Sequence, residues 1–198
     1  MDYETLSNCF TAVFEHYKTQ ETKVFVIHDL QNDLDSFIEF LKQNIKNKEW
    51  HISYNGLAFD AQVTHYILDN YEDWDPNLGG SDIAAIIFKY AQTCIQKANN
   101  KEFSDYPQWK MRMGQIDLFK MHHWDNPAKR SSLKWIQYSM DWENILDMPI
   151  HHDTEITTKE EINIILEYCI NDVRSTKEIY NRSKSEIGLR KELTKTYG

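Results

Sequence analysis

Cysteine is scarce in this chain. Cys9, Cys94 and Cys169 are the three among 198 residues, scattered and without C-x-x-C spacing. That pattern excludes a disulfide framework and predicts ordinary reduced core residues of an intracellular protein. Long apolar runs are also missing. No stretch approaches the ~20 residues that span a bilayer, so no membrane partner is expected. The opening residues are acidic and polar, without the basic start and apolar run of a signal peptide. Positive charge is in deficit, with 22 Lys and Arg against 31 Asp and Glu and a net charge of −9. A protein that holds nucleic acid by electrostatics alone presents a basic face, so this balance predicts weak binding by the chain itself. The exceptions are carboxylates occupied by divalent cations, which invert the local field, or a basic partner domain. Internal repeats and low-complexity tracts are absent. What is present is 41% hydrophobic and 13% aromatic, the composition of a globular fold, and residues 1–198 suit one domain with a sizeable core.

Periodicity sets out the elements. Residues 9–17 are rich in β-formers, with Phe10, Val13 and Phe14, and residues 23–28 form a near-continuous apolar run typical of a buried strand. The polar stretch 16–21 between them predicts a hairpin turn. A helix follows, with Asn32 as its N-cap, Asp33 and Asp35 in its first turn, and Leu34, Phe37, Ile38, Leu41 and Ile45 at helical spacing. Residues 50–54 read as a short strand ending at Asn55-Gly56, and 59–71 as a helix. Residues 70–80 are an acidic loop with Pro76 and Gly79-Gly80. Ser81 is expected to cap the next helix, 99–114 shows no period, and 115–119 reads as a strand through Asp117. Ser131-Ser132 caps a short helix around Leu133, Trp135 and Ile136. The clearest helix is the last third, opened by a capping box from Thr157 with Glu160 or Thr158 with Glu161 and continued through Ile162, Ile165, Leu166, Cys169, Val173 and Thr176. A final helix runs from 185 onward. Three strands, a helix, a strand and a helix in that order imply an α/β fold with a mixed sheet and helices packed on it.

Three acidic motifs carry the chemistry. In Asp2-Tyr3-Glu4-Thr5, an extended strand points Asp2 and Glu4 to the same face. Asn55-Gly56-Leu57-Ala58-Phe59-Asp60 places an acid where a strand gives way to a helix. Tyr168-Cys169-Ile170-Asn171-Asp172 sets Tyr168 and Asp172 four apart, on one face of the strong helix.

Together, and in this order, the three motifs resemble those of the DEDD superfamily of 3′→5′ exonucleases, in its tyrosine-bearing subclass, and are nearest in flavour to the exonuclease domains of phage family A and family B DNA polymerases. The resemblance covers residues 2 to about 180. It implies an RNase H-like (ribonuclease H-like) fold, a mixed five-stranded β-sheet flanked by α-helices. It also implies a single proofreading domain working with a polymerase domain in cis or trans, in the host cytoplasm if phage-encoded. By the same resemblance Asp2, Glu4, Asp60 and Asp172 hold two divalent cations, Mg²⁺ or Mn²⁺. Tyr168 orients or helps deprotonate the attacking water, and the 3′ end of single-stranded DNA is cut to release nucleoside 5′-monophosphates. Hard oxygen ligands suit those ions, and an ordinary phenol pKa near ~10 favours positioning over base catalysis. Thr5, Leu6 and Asn55 fall on positions that touch substrate. Two rival functions stay open: a free-standing exoribonuclease or oligonucleotide nuclease of the same fold, and a catalytically inactive RNase H-like module.

One departure from the family pattern is that only Met1 precedes Asp2, so either the first strand is short or residues upstream belong to the natural protein. The helical pattern that stops at 189–198 suits a domain excised from a longer polymerase. Phe59 is expected to pack in the core. Asp117 reads equally as an acid supporting the site and as a surface or capping aspartate. His122-His123 and His151-His152-Asp153 lack metal-binding spacing and read as surface histidines. The interleaved Tyr106, Trp109, Lys110 and Arg112 read as a loop anchored by its aromatics, with base stacking as the alternative. Lys120, Lys129, Arg130 and Lys134 form a modest basic cluster.

Overall fold

The computed structural model describes residues 1–123 and 131–197. Four strands open it: β1 (Asp2–Thr5), β2 (Phe10–Glu15), β3 (Thr22–His28) and β4 (Gln31–Asn32). They pair in that order, each antiparallel to the next. β2 is central and covered on both faces, and it is buried along its whole length except at Glu15. That explains why its sequence shows only loose alternation. The polar 16–21 turn closes the hairpin through a hydrogen bond from the His16 N–H to the Glu21 carbonyl at 2.8 Å.

Helix α1 (Leu34–Lys46) buries Phe37, Ile38 and Leu41 against an aromatic core. Phe25 and Phe37 lie 5.1 Å apart, Phe14 and Phe40 4.8 Å, and Tyr3 and Phe10 5.2 Å. The N-cap of α1 is Asp33, not the expected Asn32. The Asp33 carboxylate accepts from the Val26 N–H at 3.0 Å and ties the helix start to β3, while the Asn32 side chain, from β4, accepts the Leu34 N–H at 3.2 Å and so still bonds the first residue of the helix. Strand β5 (Trp50–Ser53) leads into α2 (Asp60–Asn70) and α3 (Gly80–Asn100), and β6 (Gly114–Asp117) returns parallel to β5. The expected cap Ser81 lies inside α3, whose N-cap is Gly79. Gly80 sits so close to β3 that a Cβ there would meet the His28 carbonyl oxygen at 2.4 Å, so only glycine fits. α4 (Leu118–His123) follows β6 directly. α5 (Leu133–Ser139) is capped by the Ser132 side chain, as expected. α6 (Lys159–Arg182) opens with the Thr158–Glu161 capping box, and α7 (Lys184–Tyr197) ends the described chain with no buried residue.

The expected single five-stranded sheet is not formed. The chain is α/β with a four-stranded antiparallel sheet and a separate two-stranded parallel sheet. All four residues of β1 are in register with β2, and toward β5 the Met1 nitrogen just ahead of it donates to the Ile52 carbonyl at 2.8 Å; one hydrogen bond does not make a ladder.

α6 closes the opposite face of the antiparallel sheet. Val13, Cys169 and Val173 pack together, as do Leu6, Val26, Ile162 and Ile165. Glu15 at the end of β2 is nearly buried and pairs with Lys177 and, at 3.7 Å, with Arg174. Asn8 clamps Ile156, accepting from its N–H at 2.8 Å and donating to its carbonyl at 2.9 Å, and so fixes the approach to α6. Phe59 packs against the main core as expected, and all three cysteines are buried and free.

Candidate metal centre

β1 sorts its side chains by alternation. Tyr3 and Thr5 are buried on the core side, and Tyr3 anchors the strand with a 2.7 Å hydrogen bond to the Thr64 hydroxyl of α2. Asp2 and Glu4 therefore face the other way, toward α6. There the ligand atoms of Asp2, Glu4 and Asp172 all lie within 4.8 Å of one another. Residues 167 positions apart in sequence meet because α6 lies on β1, and the Cys169 thiol touches the Asp2 carbonyl oxygen at 3.4 Å.

Asp60 opens α2 and stands outside that group of three, yet its charge raises the proton affinity of both Asp2 and Glu4. Its Oδ1 is buried with no hydrogen-bond partner. The turn before it is forced. A Cβ at Gly56 would meet the Ser53 hydroxyl at 2.0 Å and Asp60 Oδ2 at 3.2 Å. Asn55 takes a left-handed φ of 64°, which asparagine tolerates better than most residues. Asp117 holds this turn, accepting from the Asn55 N–H at 2.9 Å and the Leu57 N–H at 3.0 Å. It is buried, so its surface reading is overturned, and it supports the loop that presents Asp60.

Crowded acids away from water resist ionising. Burial first, then the neighbouring charges of Asp172 and Asp60, push Glu4 up to about 8. Burial likewise lifts Asp60 to about 7. Asp2 is raised well above the ordinary carboxylate range by burial and then by Glu4, Asp60 and Asp172. Asp172 is raised by burial too, against which hydrogen bonds from Gln137 and Tyr168 favour its charged form. The Tyr168 phenol is pushed up by burial and by Asp172 and Glu4. That makes it a poor base and a suitable positioning group.

Gln137 is a site residue that the motifs do not contain. Its amide nitrogen donates at 2.8 Å to Asp172 Oδ1 and at 2.8 Å to the Ser175 hydroxyl, and the side chain is fully buried. The available signal was its place on the apolar face of α5, four residues after Leu133 and three before Met140.

The substrate-contact positions fare unevenly. Asn55 is exposed and lines a groove of about 1130 Å³, with Tyr54, Gln62, Lys97, Tyr106, Phe119 and Lys120 among its walls. Thr5 shares the buried side of β1 with Tyr3, opposite the acids. Leu6 is fully buried with Cys9, Val26 and Ile156, so its side chain is committed to the core. The 99–114 segment is not anchored by its aromatics as a set. Phe103 and Trp109 are 97% and 84% exposed. Instead, buried Gln62 bonds both main-chain groups of Tyr106, and His65 accepts from the Arg112 N–H at 2.8 Å. Of the basic cluster, Lys129 and Arg130 lie outside the described residues, and Lys134 pairs with Asp147.

No protein-family model, curated protein or solved structure matches the chain. Its site speaks for itself. Among the described residues no helix is long and apolar enough to cross a membrane. No Lys or Arg there forms an ion pair with Asp2, Glu4, Asp60 or Asp172. Positive charge reaches the acids from the Met1 ammonium, which favours ionised Asp60, and from Lys134, which favours ionised Asp172. With no Lys or Arg in direct ion pair and one buried oxygen orphaned, the carboxylates fit hard divalent cations by the chemistry of their donors.

Proposed function

We propose that the chain is a metal-dependent 3′→5′ exonuclease of the tyrosine-bearing DEDD type, acting on the 3′ end of single-stranded DNA as the proofreading partner of a polymerase domain. The convergence of Asp2, Glu4 and Asp172 within 4.8 Å carries this reading. The Met1 amine, donating to the Ile52 carbonyl at 2.8 Å, holds the start of β1 against β5, the strand that leads toward Asp60, and this supports the reading.

On this reading Asp2, Glu4, Asp60 and Asp172 hold two Mg²⁺ or Mn²⁺ ions. When bound, such a pair lowers the pKa of water and neutralises charge on a departing oxygen. Asp2 and Glu4 supply oxygens from a rigid strand whose other face is locked by Tyr3. Gln137 occupies one lone pair of Asp172 Oδ1 and so fixes how that carboxylate is presented. Tyr168 orients the attacking water with a hydroxyl that stays protonated. The water oxygen bonds to the terminal phosphorus as one of its protons passes to solvent, the bond from phosphorus to the 3′ oxygen breaks, and that oxygen takes up a proton from solvent to become the new 3′ hydroxyl of the strand. A nucleoside 5′-monophosphate departs. With a net charge of −9 the chain holds DNA weakly by itself, and a basic polymerase domain supplies the missing affinity.

The test is a 5′-labelled single-stranded DNA incubated with the chain at high concentration and Mn²⁺ or Mg²⁺, beside RNA of matched sequence. Stepwise shortening from the 3′ end that stops on chelation is the expected result. Preferential shortening of the RNA would move the assignment to an exoribonuclease, and no cleavage of either strand would refute it.

A further inference from the structure

A second group of metal-ligating side chains lies outside the acid cluster. His151, His152 and Asp153 occupy an exposed turn between α5 and α6, and their ligand atoms all fall within 4.8 Å of one another. His151 Nδ1 is 3.6 Å from Asp153 Oδ2, and His152 Nε2 is 3.5 Å from Asp153 Oδ1. Zinc binds imidazole nitrogen and carboxylate oxygen at ~2.0–2.2 Å with tetrahedral geometry. Neighbouring ligand atoms in such a shell stand about 3.3–3.6 Å apart by simple trigonometry from those bond lengths. The turn thus already holds both histidine–carboxylate edges near the separation an ion requires.

The turn is tied down from below. The His152 carbonyl accepts from the Ser7 N–H at 3.0 Å, the His151 carbonyl from the Thr154 N–H at 2.8 Å, and the Thr154 carbonyl from the Ser7 hydroxyl at 3.3 Å. The His152 ring also leans toward Phe88, with ring centroids 6.1 Å apart. Spacing rules pass over three contiguous residues, because the convergence comes from the turn and not from a helix period.

We propose that His151, His152 and Asp153 form a site for one zinc-class divalent cation, with a fourth position open to water. The donors set it apart from the acid cluster, since imidazole suits zinc, nickel and copper while carboxylates alone suit magnesium and manganese. The turn is solvent-exposed at all three side chains, which leaves the open position accessible.

Calorimetric titration of the whole chain with Zn²⁺, in excess Mg²⁺ to fill the oxygen sites, tests this. One Zn²⁺ per chain is expected. His151→Gln and His152→Gln, both at exposed positions, should each weaken binding tenfold or more, whereas Glu4→Gln should change it less than tenfold. Asp153→Asn, an isosteric change, provides a variant with the turn preserved and should also lose at least tenfold. No Zn²⁺ binding by the wild type, a loss under tenfold in the histidine variants, or a tenfold loss in Glu4→Gln would each overturn the site. None of these outcomes bears on whether the chain cuts DNA.

Discussion

Replacing Glu4 with glutamine should make the metal-free protein more stable at alkaline pH while making it less responsive to metal. The reasoning starts from a carboxyl whose ordinary value of 4.5 is pushed up to about 8 by burial and by Asp172 and Asp60. A carboxyl raised in the folded state favours folding fully below its unfolded value. That contribution is lost as pH climbs through the folded value, here between about 4.5 and about 8. At ~1.4 kcal/mol for each tenfold change in proton affinity, the ceiling on the destabilisation is about 5 kcal/mol. Water entry and side-chain relaxation bring the expected share nearer ~2 kcal/mol. For a chain of this size that is roughly 4–8 °C in melting temperature. Thermal unfolding in EDTA at pH 5 and pH 8.5 reads it out: near coincidence of wild type and Glu4→Gln at pH 5, and a higher melting temperature for the variant at pH 8.5. Adding Mn²⁺ at pH 8.5 should reverse the order, because the wild type binds the ion more tightly and gains more from it. If Glu4→Gln melts lower than the wild type at pH 8.5 in EDTA, the crowding of acids around Glu4 is not as described.

Four other changes probe the site and the turn that supports it. Asp172→Ala should abolish cleavage together with the binding of at least one Mn²⁺. Tyr168→Phe should slow cleavage by ~10²-fold while leaving Mn²⁺ affinity within a few-fold, and equal loss of metal affinity in both variants would overturn the role given to Tyr168. Gln137→Leu removes the donor that orients Asp172 and should cost ~10-fold in Mn²⁺ affinity measured by calorimetry; unchanged affinity would reduce Gln137 to a packing residue. Asp117→Ala strips acceptors from the N–H groups of Asn55, Leu57 and Lys120. It should lower stability by about 2–3 kcal/mol in chemical denaturation, and an undiminished stability would show that the 55–57 turn stands without it.

Much of this arrangement was legible because local chemistry and global packing agree. The Thr158–Glu161 box, the Ser132 cap and the apolar stripe of α6 are local signals, and each falls where the sequence places it. The acids were readable as faces: a two-residue alternation in β1 and a four-residue spacing in α6. What the sequence withheld depends on distant partners. Nothing near Asn32 shows that Asp33 would be drawn to the Val26 N–H, nor near Gln137 that Asp172 waits across 35 positions. The sheet divides because β1 and β5 meet at Met1 and Ile52 without running on as a ladder, a matter of tertiary register. Leu6 illustrates the same limit, since adjacency to an acidic motif does not reveal that the side chain turns into the core with Ile156.

Anomalous diffraction from crystals soaked in Mn²⁺ tests the central claim most directly. Two peaks are expected, both bounded by oxygens of Asp2, Glu4, Asp60 and Asp172. Density free of manganese among these four carboxylates, with the protein intact, would contradict it.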